Sequence, residues 1–191
     1  MLLSSSSLAL SPPILDALPS SDPPYKLLRN HPSLSLLSTC KNIQTLKQIH
    51  SQIIKTGLHH TQFALSKLIE FCAVSPSGDL RYALLIFESI ENPNHVVWNN
   101  LIRGFSLSES PILAVEYYAR MILSGVEPNC YTYPFVLKSC AKMEATQEGK
   151  QVHGHILKLG LGDNAFVHSS LINMYAQSGE LGYARWNIFV T

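Results

Sequence analysis

The sequence predicts an all-α solenoid built from two-helix repeats, and three observations carry that expectation. First, the stretch from Lys150 to Leu161 (KQVHGHILKLGL) nearly copies that from Lys47 to Leu58 (KQIHSQIIKTGL), and each follows a Cys-Lys or Cys-Ala-Lys ending, at Cys40 and at Cys140. Second, Leu68-Ile69-Glu70-Phe71 recurs as Leu171-Ile172-Asn173-Met174 and Asp79-Leu80-Arg81-Tyr82-Ala83 as Glu180-Leu181-Gly182-Tyr183-Ala184, both at an offset of about 100 residues. Third, a unit of a different kind lies between the copies, from Val96 to Asn129, so three units share each cycle at about 31 to 35 residues apiece. That length is the period of two-helix solenoid repeats, whose core comes from stacking like units rather than from closing one globule.

Taken in order, residues 1–30 stand apart from everything that follows. Ser4 to Ser7, Pro12-Pro13 and Pro23-Pro24 dominate the segment, with no basic residue before Lys26 and no acid before Asp16. A secretory signal needs a charged start and a clean apolar stretch, whereas organelle transit peptides are Ser-rich and acid-poor. A disordered, transit-peptide-like segment is expected here. The scarcity of arginine points to a plastid rather than a mitochondrion, and an ordinary polar tail is the alternative.

The solenoid is expected over residues 33–191, in units 33–61, 62–94, 95–129, 130–164 and 165–191. In the first unit Ile49 and Ile53 sit at i,i+4 on one helix face, as Val152 and Ile156 do in the fourth, so all four are expected in the core. The second unit has an irregular turn between its helices, Ala73-Val74-Ser75-Pro76-Ser77-Gly78. In the third, Leu101, Ile102 and Phe105 mark one helix, and Leu113, Ala114, Tyr117, Tyr118 and Met121 mark another. Ser110-Pro111 reads as an N-cap followed by proline in the first turn, and Gly125 and Pro128 mark the stop. Val96-Val97-Trp98 could open a strand, but the run lacks alternation and a helix is expected instead. The fifth unit is interrupted in its second helix by Trp186-Asn187-Ile188-Phe189-Val190-Thr191, as in a truncated piece of a longer array.

Composition excludes several classes. The chain has 191 residues, 46% of them hydrophobic, which suits a core, yet no apolar run approaches the roughly 18 residues of a membrane span. Cys40, Cys72, Cys130 and Cys140 form no C-x-x-C pair, so neither a zinc site nor a disulfide framework is expected, and all four are expected as buried thiols. Among eight histidines none makes a ligand pair at i,i+4: His153 and His155 are two apart on different helix faces, and His59-His60 fall in a turn. A deaminase signature, a nucleophile elbow, a P-loop and a dinucleotide fingerprint are all missing, so no enzymatic activity, metal or cofactor is expected of this chain.

The unit signatures resemble a known family. Asn94-His95-Val96-Val97-Trp98-Asn99-Asn100-Leu101-Ile102-Arg103-Gly104, closed by Glu127-Pro128-Asn129, is similar to a pentatricopeptide repeat of the standard type. The unit with Cys140-Ala141-Lys142 and Gly149-Lys150-Gln151-Val152-His153 resembles the long type, and Leu171 to Leu181 the short type. The order long, short, standard, long, short is that of the plant mixed-repeat subfamily. The likeness covers about residues 33 to 189, with 33–61 a degenerate long unit.

That resemblance implies a right-handed α-solenoid binding single-stranded organellar RNA at one base per repeat, as the recognition part of a cytidine-to-uridine editing factor. In the family a residue near the start of the first helix and the last residue of the repeat read the base. These positions fall on Ser66 with Asn94, Asn99 with Asn129, Pro134 with Asn164, and Ser169, whose closing partner is missing. By the family pattern Asn99 with Asn129 favours cytosine over uracil and Ser66 with Asn94 adenine, the RNA running 5′ to 3′ from the N to the C terminus. Pro134 offers no donor, and its unit should specify little. Phe63, Val96, Tyr131 and Phe166 match positions that wedge between bases, and Lys142 the phosphate-contacting lysine, whose equivalents here are Val74, Leu107 and Gln177. Other editing-complex proteins are implied as partners, and neither a membrane nor a small-molecule substrate is. Asn is also a good cap and turn residue, so capping is the competing account of Asn94, Asn99 and Asn129. A formal charge of +1 lacks the basic footprint usual for nucleic-acid domains, so weak affinity is expected. The competing function is a protein-binding helical-repeat scaffold without RNA contact.

Overall fold

A computed structural model describes residues 31–180, 182 and 183. The transit-peptide-like segment 1–30 and the tail 186–191 lie outside the described residues. Nine α-helices and no strand occur among those described: α1 (Pro32–Ser38), α2 (Ile43–Lys55), α3 (Gln62–Val74), α4 (Leu80–Glu88), α5 (His95–Leu107), α6 (Ile112–Leu123), α7 (Tyr133–Lys142), α8 (Thr146–Lys158) and α9 (Ala165–Gln177). One turn of 3₁₀ helix, Leu58–His60, joins α2 to α3.

Side-chain caps start several of these helices, as their polar lead residues dictate. The Asn42 side chain accepts from the Thr45 N–H, and Asp79 from those of Arg81 and Tyr82, meeting donors that a helix start leaves orphaned. Gly125 ends α6 at φ 75°, which lets the Val126 N–H reach back to the Met121 carbonyl and the Gly125 N–H to that of Ile122. The same closure ends α7, but there Glu144 takes the left-handed position at φ 55°, where a side chain is disfavoured. Ser110-Pro111 departs from its expected role. Helix α6 begins at Ile112, and Ser110 serves through its carbonyl, which accepts from Leu113 N–H in a tight first turn, while no side-chain cap forms. The run Val96-Val97-Trp98 is helical, within α5.

Helices pair as α1–α2, α3–α4, α5–α6 and α7–α8, and first helices pack on first helices, α3 on α5, α5 on α7 and α7 on α9. This is the all-helical repeat architecture expected of the chain, with each hairpin packing chiefly on its neighbours. Ile49, Ile53, Val152 and Ile156 are buried as the pattern demanded, as are Leu101, Ile102 and Phe105. Phe87 meets the Trp98 ring edge-on at 4.7 Å, and Phe105 lies 4.9 Å from Tyr117, so one aromatic cluster ties α4, α5 and α6 together. Close approach of α3 and α5 depends on Gly104, where a Cβ would fall 2.6 Å from the Ala73 Cβ.

The histidines act between units. His50 Nδ1 pairs with the Tyr82 hydroxyl at 2.8 Å, His155 Nδ1 with that of Tyr118 at 2.8 Å, and His153 Nδ1 with that of Tyr175 at 2.9 Å. His153 and His155 thus reach from α8 to different neighbours, α9 and α6. Burial holds His50 and His153 below their ordinary pKa and raises the phenols of Tyr118 and Tyr175, which keeps all four groups neutral near pH 7. The expectation of four buried thiols holds for two of them. Cys72 and Cys140 are buried and pushed up to about 12 by desolvation, which makes them unreactive, whereas Cys40 and Cys130 are only partly covered because both lie in loops ahead of helices. Among the described residues no group of three or more His, Cys, Asp or Glu could hold a metal, and no helix is long and apolar enough to cross a membrane.

Candidate functional site

Asparagine recurs at 94, 129 and 164, spacings of 129 − 94 = 35 and 164 − 129 = 35 residues, each time just ahead of a first helix. A short amide there can satisfy the orphan donors of the helix start or reach across to the preceding unit, and both uses draw on the same oxygen with its two lone pairs. Asn94 and Asn164 cap. The Asn94 Oδ1 accepts from Val96 and Val97 N–H at 3.0 and 3.2 Å, and that of Asn164 from Phe166 and Val167 N–H at 3.1 and 3.3 Å.

Asn129 keeps the first of these two bonds and adds a partner from the preceding unit, in surroundings that differ. Three positions after the asparagine, Val97 and Val167 are buried apolar side chains, but the equivalent Thr132 is a fully buried hydroxyl. Five positions after it stands Pro134, which has no N–H to give, and α7 begins only at Tyr133. The Asn129 Oδ1 accepts from the Tyr131 N–H at 3.0 Å and from Asn99 Nδ2 at 3.1 Å. Thr132 Oγ1 accepts from the Asn129 backbone N–H at 3.0 Å and stands 2.7 Å from Asn99 Oδ1, against 3.4 Å from Asn129 Oδ1. Asn99, Asn129 and Thr132 therefore form one closed polar mesh between the start of α5 and the loop entering α7. Both amides are half-buried at its rim. One helical turn on from Asn99, Arg103 lies over the Phe135 ring at 5.5 Å from its centroid, a stacked cation on the same face of α5.

The other paired positions are not brought together in this way. Ser66 is buried and its hydroxyl donates to the Phe63 carbonyl at 2.9 Å, while its own carbonyl receives Asn100 Nδ2 at 3.0 Å. The unit is closed instead by Gln62, whose Nε2 donates to the Asn92 carbonyl at 2.6 Å and whose Oε1 accepts from the Asn94 N–H at 2.8 Å. Pro134 lies in the first turn of α7, its paired position Asn164 caps α9, and Ser169 is exposed with its hydroxyl turned back to the Ala165 carbonyl at 2.7 Å.

Val96, Tyr131 and Phe166, again 35 residues apart, are 42%, 67% and 73% exposed, so three apolar side chains stand out at the starts of successive units. Phe63 is half-buried and shares a crevice with Leu34, Leu37 and Phe71, because α1 packs across it. Lys142 is exposed at the end of α7 and donates to the Ser108 carbonyl at 2.7 Å, which ties the C-terminal ends of α5 and α7 together.

Sequence reasoning missed Thr132, Gln62 and Arg103. Thr132 had a signal, a polar residue at a register where the sister units carry valine. For Gln62 and Arg103 nothing in the pattern marked the contact.

Residues 93–142, which span α5, α6 and α7, match the PPR repeat family, PPR standing for pentatricopeptide repeat. A chloroplastic pentatricopeptide repeat-containing protein of Arabidopsis thaliana is 56% identical over 163 residues, 85% of this chain and 22% of that protein. A second such Arabidopsis protein is 39% identical over 153 residues, 80% of this chain and 25% of its own length. A mitochondrial one is 42% identical over 164 residues, 84% and 24% respectively. The chain thus spans about a quarter of the length of these relatives.

Proposed function

We propose that the chain is a pentatricopeptide-repeat solenoid of the mixed long, short and standard subfamily, and that it binds single-stranded RNA in a plastid as the recognition part of a cytidine-to-uridine editing factor. The observation that carries this reading is the Asn99–Asn129 amide pair, held together at the start of α5 beside the exposed Tyr131. Two amides at a half-open rim can meet the edge of a splayed base, and an aromatic face next to them can stack it. Val96 and Phe166 repeat the stacking position on either side. Ser66 with Asn94 is the proposed adenine-preferring neighbour, its discrimination reduced because the Ser66 hydroxyl and the Asn94 amide oxygen are engaged within the protein. Asn164 with Pro134 specifies little, because the Pro134 side chain has no polar group. The organelle assignment rests on the Ser-rich, acid-poor head together with the chloroplastic relative, and a mitochondrion is the alternative.

Binding by this chain alone is weak, since a formal charge of +1 and the tethering of Lys142 leave few phosphate contacts and a shallow salt dependence. The test is fluorescence anisotropy at low salt, with short labelled RNAs that differ at one base. Cytosine at one position should be preferred over purines, and Asn99→Ala should erase the preference at that position alone. Equal binding of every base at every position, with the variant unchanged, would favour the protein-scaffold reading.

A further inference from the structure

We infer that Thr132 is a positioning residue for base choice: its hydroxyl occupies the Asn99 amide oxygen and holds it inside the mesh, so that the Asn99–Asn129 pair shows a base only donors, which accept cytosine and reject uracil. The inference rests on the RNA-binding reading above and concerns a residue that belongs to the following unit.

The polarity of the mesh follows from one obligate donor. A backbone N–H can only donate, so the Asn129 atom facing Tyr131 N–H must be oxygen. The Asn99 atom facing that oxygen must then be nitrogen, and the other end of the Asn99 amide must be oxygen. Thr132 Oγ1 already accepts from the Asn129 N–H, and its single proton goes to the nearer acceptor, Asn99 Oδ1 at 2.7 Å. Flipping the Asn99 amide would set its oxygen against that of Asn129, so the Tyr131 N–H fixes the polarity of the pair, and the Thr132 hydroxyl holds the Asn99 oxygen inside the mesh.

The mesh uses one N–H of Asn99 Nδ2. Its second N–H and the two of Asn129 Nδ2 are unspent in the network. A base offered to this rim meets donors. The Watson–Crick edge of cytosine carries two adjacent acceptors, N3 and O2, and fits. Uracil has an N–H at position 3 and opposes one donor with another. Without the Thr132 hydroxyl, Asn99 Oδ1 loses its donor, the amide can swing outward on its remaining bond to Asn129, and its vacated oxygen offers uracil an acceptor for the N3–H.

The substitution that isolates this effect is Thr132→Val, because valine already occupies the equivalent buried positions 97 and 167 in this chain. The full 191-residue chain is titrated with RNAs carrying cytosine or uracil at the position that Asn99→Ala marks. The wild type should prefer cytosine. Thr132→Val should lower the cytosine-to-uracil ratio by about tenfold toward unity while cytosine-over-purine preference persists, and Thr132→Ser, which keeps the hydroxyl, should restore the ratio. In parallel, the Asn99 side-chain amide resonances, assigned by NMR, should shift in Thr132→Val and return in Thr132→Ser. An unchanged ratio in a folded Thr132→Val protein would overturn the role of Thr132 and leave RNA reading by Asn99 standing. A wild type that binds no RNA, or that ignores the base at that position, would overturn both.

Discussion

Units 62–94 and 95–129 are neighbours built on the same plan, yet they close differently. In the second of them Asn99 and Asn129 hydrogen-bond across the loop and Thr132 locks the pair. In the first, the corresponding Ser66 turns its hydroxyl to its own helix, Asn94 caps α5, and Gln62 sews the loop down from the far side. The asparagines at 94 and 129 are the same residue at the same register. Their difference is set by what stands three residues later, Val97 in one case and Thr132 in the other, and by what the preceding first helix offers. A residue's role in a repeat is therefore decided by its cross-unit partners as much as by its own position.

The largest way to break the comparison is to disturb the contact both units share. Gly104→Val would push a side chain into Ala73 at the α3–α5 crossing, and should cost about 2 to 3 kcal/mol, as overpacking of a tight interface does. Chemical denaturation should show a lower midpoint with an unchanged slope. An unaltered midpoint would mean the two first helices can part without loss.

A sharper test builds the second lock into the first unit. Ser66→Asn with Val97→Thr places the amide and hydroxyl at the positions equivalent to Asn99 and Thr132, with Asn94 already in place. The base next to the one read by Asn99 should then shift from adenine toward cytosine, by about tenfold or about 1.4 kcal/mol. If competition between RNAs differing at that base shows no shift, proximity of the three side chains is not sufficient for reading.

The smallest effect separates capping from reading. Asn94→Ala should cost about 1 kcal/mol of stability through the lost cap, with the preference at the base read by Asn99 unchanged. Asn129→Ala should lower stability by a similar amount and abolish that preference, since its oxygen serves both Tyr131 and Asn99. Thermal melts and anisotropy on the same two samples decide it. Loss of preference in the Asn94 variant would show that the cap, and not the amide pair, governs reading.

The helices were legible because their causes are local. The i,i+4 stripes through Ile49 and Ile53, through Val152 and Ile156 and through Leu101 and Phe105 require only a 3.6-residue period and a neighbour to pack on, and all six side chains are buried. Gly125 could be read as a stop because one backbone position needs φ 75° and glycine supplies it. Ser110-Pro111 was only half legible, since which atom of Ser110 serves the helix start depends on how tightly the chain enters it. Of the expected thiols, burial followed the helices for Cys72 and Cys140 and failed in the loops for Cys40 and Cys130.

The sequence by itself determined a helical-repeat architecture and the 35-residue recurrence of asparagine, because periodicity and capping chemistry act within a few residues along the chain. Only the tertiary structure decided which asparagine serves its helix start alone and which also pairs across units, that α1 covers Phe63 while Tyr131 and Phe166 stand free of such cover, and that Lys142 is tethered to Ser108. Those outcomes depend on groups some 30 residues apart in sequence and about 3 Å apart in space, as Asn99 and Asn129 are at 3.1 Å. A hydrogen bond chooses between such partners on distances and angles that exist only once neighbouring units have stacked.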